Sequence, residues 1–245
     1  MTTVYPYSTD PHNALAGIPV WQGVCPGTPV SIFGYSSTVG STALGPLWEG
    51  LTPSGGAYAY PSSAVQMSIV SNSTSDTSAL SLLILGLDGS YNSISETIAL
   101  NGTTTVTTVN SYFRINDISC TNGNNVGKIT VSNGATTYAQ INPGIGQTQM
   151  SIYTVPNGHT FWLYYVNSFA SIGFTSSAYM NYAEYNKNTT GASTILSQTP
   201  YVQSLSLPYN FQPIPHPGGT DIQFQFKAST GTNTIASCYA GGVLI

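Results

Sequence analysis

The sequence predicts an all-β protein, an antiparallel β-sandwich of jelly-roll-like kind with an extended, proline-rich N-terminal arm. From Val65 onward, short runs of β-branched and aromatic residues are broken by turn residues roughly every eight to twelve positions, the spacing of a sandwich or barrel. Apolar and polar residues alternate within several of these runs, most plainly in DIQFQFKA. No stretch beyond about ten residues combines a helical period with caps.

Taken in order, residues 1 to about 64 carry Pro6, Pro11, Pro19, Pro26, Pro29, Pro46, Pro53 and Pro61, over half of the chain's 15 prolines. Each proline removes a backbone donor, so regular ladders are not expected there. The segment is still aromatic, with Tyr5, Tyr7, Trp21, Phe33, Tyr35, Trp48, Tyr58 and Tyr60. It is expected to dock, either on its own subunit or on a neighbour, and Tyr5, Tyr7, Trp21, Phe33 and Trp48 are the candidate partner-interface residues. Residues 65–245 are expected to form the sandwich domain.

Leu80 to Leu87 reads as a buried strand and Ile94 to Leu100 as its neighbour. Asn101-Gly102 can take the positive φ angles of a two-residue hairpin leading into Thr103 to Thr108. Further strands are expected at Tyr112 to Cys120, at Lys128 to Ser132 before Asn133-Gly134, and at Gln147 to Val155. Thr160 to Phe169 follows the turn Pro156-Asn157-Gly158. Ala178 to Tyr185, Ser204 to Leu207 and Asp221 to Ala228 come next, the last with one face inward and one in water, and Thr234 to Ile245 closes a sheet. The threonines supply β-propensity while presenting hydroxyls, so these strands need little charge.

Charge is indeed scarce. Charged residues make up 5% of the 245-residue chain, four basic and eight acidic, against about 25% in an ordinary soluble domain. Arg114, Lys128, Lys187 and Lys227 are scattered and cannot form the cationic groove that displaces counterions from phosphates, so no nucleic-acid partner is expected. A polybasic membrane patch is lacking too. The longest apolar run, Ala79 to Leu87, is about half of what a spanning helix requires, so no membrane partner is expected. MTTVYPYSTD has no basic segment followed by an apolar one, so no secretory signal is expected. The 17 Tyr, 8 Phe and 3 Trp argue for a folded chain. A surface this poor in ions suits permanent burial against neighbours.

Catalytic chemistry has little to stand on. There is no G-x-S-x-G elbow, no H-x-H or H-E-x-x-H spacing and no D-x-D-x-D-G loop. His12, His159 and His216 read as loop residues. Two carboxylate pairs, Asp88 with Glu96 and Asp117 with Asp221, could face each other across strands as a glycosidase requires, but turn and ion-pair roles explain them as well. Cys25, Cys120 and Cys238 have neither zinc-site spacing nor disulfide density and read as buried apolar residues. Asn72, Asn101 and Asn188 begin sequons that chance explains. No enzyme activity, metal or cofactor is expected.

The pieces IFGYSSTVGS, PLWEG, YAYPSSAVQMSIVSNSTSDTSA, LILGLDGSYNSISETIALNGTTTVTTVNSYFRIND, NVGKITV, MSIYTVPNGHTFWL and TDIQFQFKAST resemble a family of β-rich virion structural proteins of tailed bacteriophages. The most specific elements are the GLD…E…LNGTT block with its following Arg114, and the YTVPNG turn before an aromatic strand. The resemblance runs from about Ile32 to the end. It implies a capsid cement or decoration protein on the outer surface of the phage head, made in the bacterial host cytoplasm. Its partners would be the major capsid protein and further copies of itself, most naturally as a homotrimer. It carries no catalytic motif onto any residue here, and Asn186 to Gln203 departs from the family in being less charged. The alternative is a tail, fibre or baseplate component recognising host surface glycan, with Tyr164, Tyr165, Tyr179, Tyr182 and Tyr185 as stacking platforms.

Overall fold

The computed structural model describes residues 27–50, 58–171, 177–185, 193–202, 205–228 and 234–245. Their regular structure is all β. The strands are β1 (Thr28–Ser36), β2 (Gly45–Pro46), β3 (Ser68–Ser71), β4 (Ser81–Leu87), β5 (Ser93–Ala99), β6 (Val106–Thr107), β7 (Arg114–Cys120) and β8 (Ile129–Asn133). They continue with β9 (Thr136–Ile141), β10 (Ile152–Thr154), β11 (Thr160–Ser171), β12 (Ser177–Tyr185), β13 (Ser193–Val202), β14 (Leu205–Pro217), β15 (Asp221–Ala228) and β16 (Ile235–Leu244).

These strands pair antiparallel into four sheets that pack as a β-sandwich architecture with two cores. One sheet runs β1-β16-β11-β14, and its partner runs β10-β15-β12-β13 with β2 also on β15. Ile32, Phe161, Leu163 and Val166 from the first sheet meet Ile222, Phe224 and Phe226 from the second. The other two sheets, β6-β3-β8-β9 and β5-β4-β7, are built from residues between β2 and β10. Between them Met67, Ile69, Leu82, Ile84, Ile118, Ile129 and Val131 are essentially without solvent contact. Each fully buried apolar side chain contributes roughly 1.5–3 kcal/mol, and these two clusters are where the alternating pattern of the sequence is satisfied.

Four expectations are corrected. First, residues 28–36 form a regular ladder, pairing with β16 from Thr28↔Leu244 to Ser36↔Ala236 despite Pro29. The Tyr35 N–H points away from β16, to the Gln149 carbonyl at 3.3 Å. The two-residue period puts the missing donor of Pro29 on that same outer edge, where it removes no ladder bond. Second, Asn101-Gly102 is not a hairpin: Gly102 has φ 57°, but β5 pairs with β4 while β6 pairs with β3, so the turn carries the chain from one sheet to the other. The sequence signal for a tight hairpin does hold after β8, where Gly134 has φ 58° and β9 returns beside β8.

Third, His216 is a strand residue. β14 extends to Pro217 along β11 as an edge strand, which tolerates Pro208, Pro213 and Pro215 because one of its edges has no ladder to lose. His216 has no exposed surface and stacks on Phe161, ring centroids 6.3 Å apart. Fourth, the glutamine face of β15 is covered rather than wet. Gln223 and Gln225 are buried; Gln223 donates to the Tyr60 hydroxyl at 3.0 Å and Gln225 donates to Gln223 at 2.8 Å.

The run YAGGVLI shows why β16 needs two glycines. A Cβ on Gly241 would lie 2.6 Å from the Tyr165 ring, and one on Gly242 would collide with the Trp162 carbonyl oxygen and the Phe161 ring. Gly242→Ala is expected to destabilise the fold by about 1–3 kcal/mol, through overpacking, read as a lowered urea midpoint.

Burial holds the His216 imidazole down at about 4, against an ordinary value of 6.5. The unfolded chain therefore binds the proton between these two pH values while the folded chain does not. Stability is complete above pH 6.5 and falls as pH drops to about 4, by roughly 3 kcal/mol from this group. Urea titrations at stepped pH should show that loss, and His216→Phe should flatten this interval of the curve.

Candidate functional site

With so few ions, the destination of each one is informative. Every acidic side chain among the described ones accepts hydrogen bonds from its own chain. Glu49 takes the Ser37 N–H at 2.5 Å and Glu96 takes the N–H groups of Val109 and Asn110 at 3.1 and 2.7 Å. Asp88 closes its own turn, accepting from the N–H groups of Ser90 and Asn92 and the Asn92 amide at 2.8–3.0 Å. Asp76, 1% exposed, accepts from Ser71 Oγ at 2.5 Å and from the N–H groups of Val126 and Gly127 at 2.7 and 2.9 Å. Burial pushes its carboxyl upward, but those donors outweigh burial and hold it below the usual range.

Asp221 is different because its partner is a cation. Arg114 at the start of β7 crosses from one core to the other and grips Asp221 at the start of β15 through two bonds, Nε to Oδ1 at 2.9 Å and Nη2 to Oδ2 at 3.0 Å. Thr154 Oγ1 donates to Asp221 Oδ1 at 2.5 Å, and Nη1 donates to the Phe113 carbonyl at 2.8 Å. The guanidinium lies over the Phe113 ring at 4.1 Å and the Tyr60 ring at 4.3 Å. Burial lowers the arginine's pKa, and the bonds and charge of Asp221 more than reverse this, so the guanidinium stays charged. The charged residues of the GLD…E…LNGTT…R block, Asp88, Glu96 and Arg114, thus anchor a turn, a loop and the junction of two cores.

Asp117 faces the two larger hollows. It accepts from Thr148 Oγ1 at 2.8 Å, and burial raises its pKa against the opposing bonds from Thr148 and Ile118. Two hollows of about 390 and 430 Å³ both have Ser31, Asn116, Asp117 and Tyr153 in their walls, so they form one groove along β1. Asn116 is locked, its amide bonded to the backbone of Thr154 at 2.8 and 2.9 Å, which fixes the floor. One end of the groove is polar, with Gln147 and Thr148, and rimmed by Phe33 and Tyr239; the other is apolar, with Val30, Leu85 and Ile94. Leu85 and Tyr239 are each 40% exposed.

Of the candidate interface residues, Phe33 lies half-buried in this groove. Trp48 is 1% exposed and packs edge-on against Tyr58 inside its own chain, which removes its surface from any partner. Tyr5, Tyr7 and Trp21 lie outside the described residues, as do His12 and Cys25. Tyr164 is 6% exposed and cannot serve as a stacking platform; Tyr165 packs on Tyr239 with centroids 5.6 Å apart. The side chains of Tyr179, Tyr182 and Tyr185 are outside the description.

The two carboxylate pairs considered for catalysis have separate employments: Asp88 and Glu96 hold different loops, and Asp221 is clamped by Arg114 while Asp117 faces the groove. His159 is exposed after its turn. Cys120 and Cys238 are free thiols, half-buried and buried. Among the described residues no three of His, Cys, Asp and Glu gather to hold a metal, and no helix is long and apolar enough to cross a membrane.

The groove itself was invisible in sequence because β1, β7 and the segment before β10 are brought together only by the fold. The available hint was Asp117, a lone acid inside the apolar strand RINDISC. No family model, curated protein or solved structure matches the chain.

Asp221→Asn is expected to cost about 3–5 kcal/mol, because it strands a buried guanidinium. The double variant Arg114→Met, Asp221→Leu should recover most of that loss. Urea unfolding followed by tryptophan fluorescence measures both.

Proposed function

We propose that this protein is a structural component of a tailed-phage virion, a cement or decoration protein seated on the outside of the assembled head. In this role it binds the major capsid protein and further copies of itself, as a trimer, and toughens the shell by tying neighbouring capsomers together. The observation that carries the reading is the fate of its charges. The described carboxylates accept hydrogen bonds from their own chain and Arg114 is buried, so few charges are left to face a partner. Contacts made by such a surface depend little on ionic strength, and their strength multiplies once linked subunits engage several sites of one lattice. The likeness of the GLD…E…LNGTT…R and YTVPNG stretches to phage virion proteins supports the same reading.

One trimer, three copies, would sit on each local three-fold of a shell, where nothing needs to diffuse away. Purified virions should therefore carry hundreds of copies by gel densitometry. The protein should stay on heads through washes of about 1 M salt, where charge attractions are screened beyond about 3 Å, and heads depleted of it should rupture at lower temperature. A dozen copies per virion, or release by salt alone, would overturn the assignment.

A further inference from the structure

A β-strand at the edge of a sheet exposes a row of unpaired N–H and C=O groups. Among the described strands β1 is such an edge, since its sheet continues there on the β16 side alone. The outward N–H of Tyr35 reaches the Gln149 carbonyl, which closes the edge at that end. By the two-residue period, the N–H and C=O groups of Ser31 and Phe33 point the same way, and they have no backbone partner there among the described residues. Both residues line the groove.

The groove follows β1 from Thr28 to Phe33, about 20 Å of extended chain. Leu85 and Ile94 line one end of it and Gln147 the other. Among the described residues of either wall, Asp117 is the one Asp, Glu, Lys or Arg. Its described side-chain partner is a neutral hydroxyl, and Arg114, three residues away, is already committed to Asp221.

We propose that this groove receives an extended segment of a different polypeptide, which adds to the free edge of β1 as a further strand and sets a lysine or arginine against Asp117. Backbone pairing with Ser31 and Phe33 supplies the affinity, and the charge at Asp117 sets the register. The apolar end accepts small or branched side chains beside Val30 and Leu85. The described strands of a second copy do not offer this segment. Lys227 sits in β15, which is paired on both edges, and Lys128 immediately precedes β8, which lies between β3 and β9. The inference goes beyond the particle reading and does not depend on it, since it is tested without heads.

A library of random heptapeptides selected on immobilised full-length protein provides the probe, followed by calorimetry on the best synthetic peptide. Enriched peptides are expected to be β-prone, with a single central Lys or Arg. Asp117→Asn should weaken binding about tenfold or more. Ser31→Pro, which deletes an outward N–H and no bond to β16, should weaken it similarly, as should N-methylation of alternate peptide amides; the peptide arm stands even if Ser31→Pro does not fold. Three results would overturn the proposal: no enrichment, binding indifferent to Asp117→Asn and N-methylation, or occupation of the groove by neutral oligosaccharide probes in place of peptides.

Discussion

The bond between Arg114 and Asp221 holds this structure in register. It joins the first residue of a strand in one core to the first residue of a strand in the other, and both side chains are over nine-tenths buried. Removing two charges from water is costly, and the cost is offset here by a bidentate fork, by Thr154 on the carboxylate, and by the Phe113 and Tyr60 rings on the guanidinium. The geometry of that fork admits one relative placement of β7 and β15. The loop bearing Tyr60, the Tyr153–Gly158 turn and the floor of the groove are all fixed around it.

The same economy governs the other ions. A carboxylate that accepts two or three N–H groups does the work of a short secondary-structure element, and Asp76, Asp88 and Glu96 each pin a connection that has no ladder of its own. Ser151 plays this part without charge: its hydroxyl accepts from the Leu47 N–H at 2.8 Å and donates to the Phe224 carbonyl at 2.6 Å, stitching β2 to β15. Gly34 is opposite it because a Cβ there would lie 2.7 Å from the Ser151 nitrogen. Polar groups in this protein are mostly joints, and apolar ones are mostly filling.

One strand edge and one carboxylate stand outside this pattern. Among the described residues no backbone group pairs with the outer edge of β1 at Ser31 and Phe33, and no cation lies against Asp117. That the two exceptions adjoin in a single groove is what gives the site its interest.

Much of the strand map was legible in the sequence, because the alternation in β15, the apolar run of β4, the turn at Gly134 and the Pro156–Gly158 corner are local signals decided within a few residues. Composition likewise determined that the chain has four basic residues to work with and strands rich in hydroxyls. Pairing was not legible: whether the chain after Gly102 turns back on β5 or crosses to β3, and whether Pro29 and Pro215 break strands or border them, depends on which edge each segment presents to distant partners. The groove and the Arg114–Asp221 junction belong wholly to tertiary structure, since their residues lie far apart in sequence, 107 apart for the pair itself. Local propensity chose the strands; only long-range packing could decide which neighbours they kept and which edge they left open.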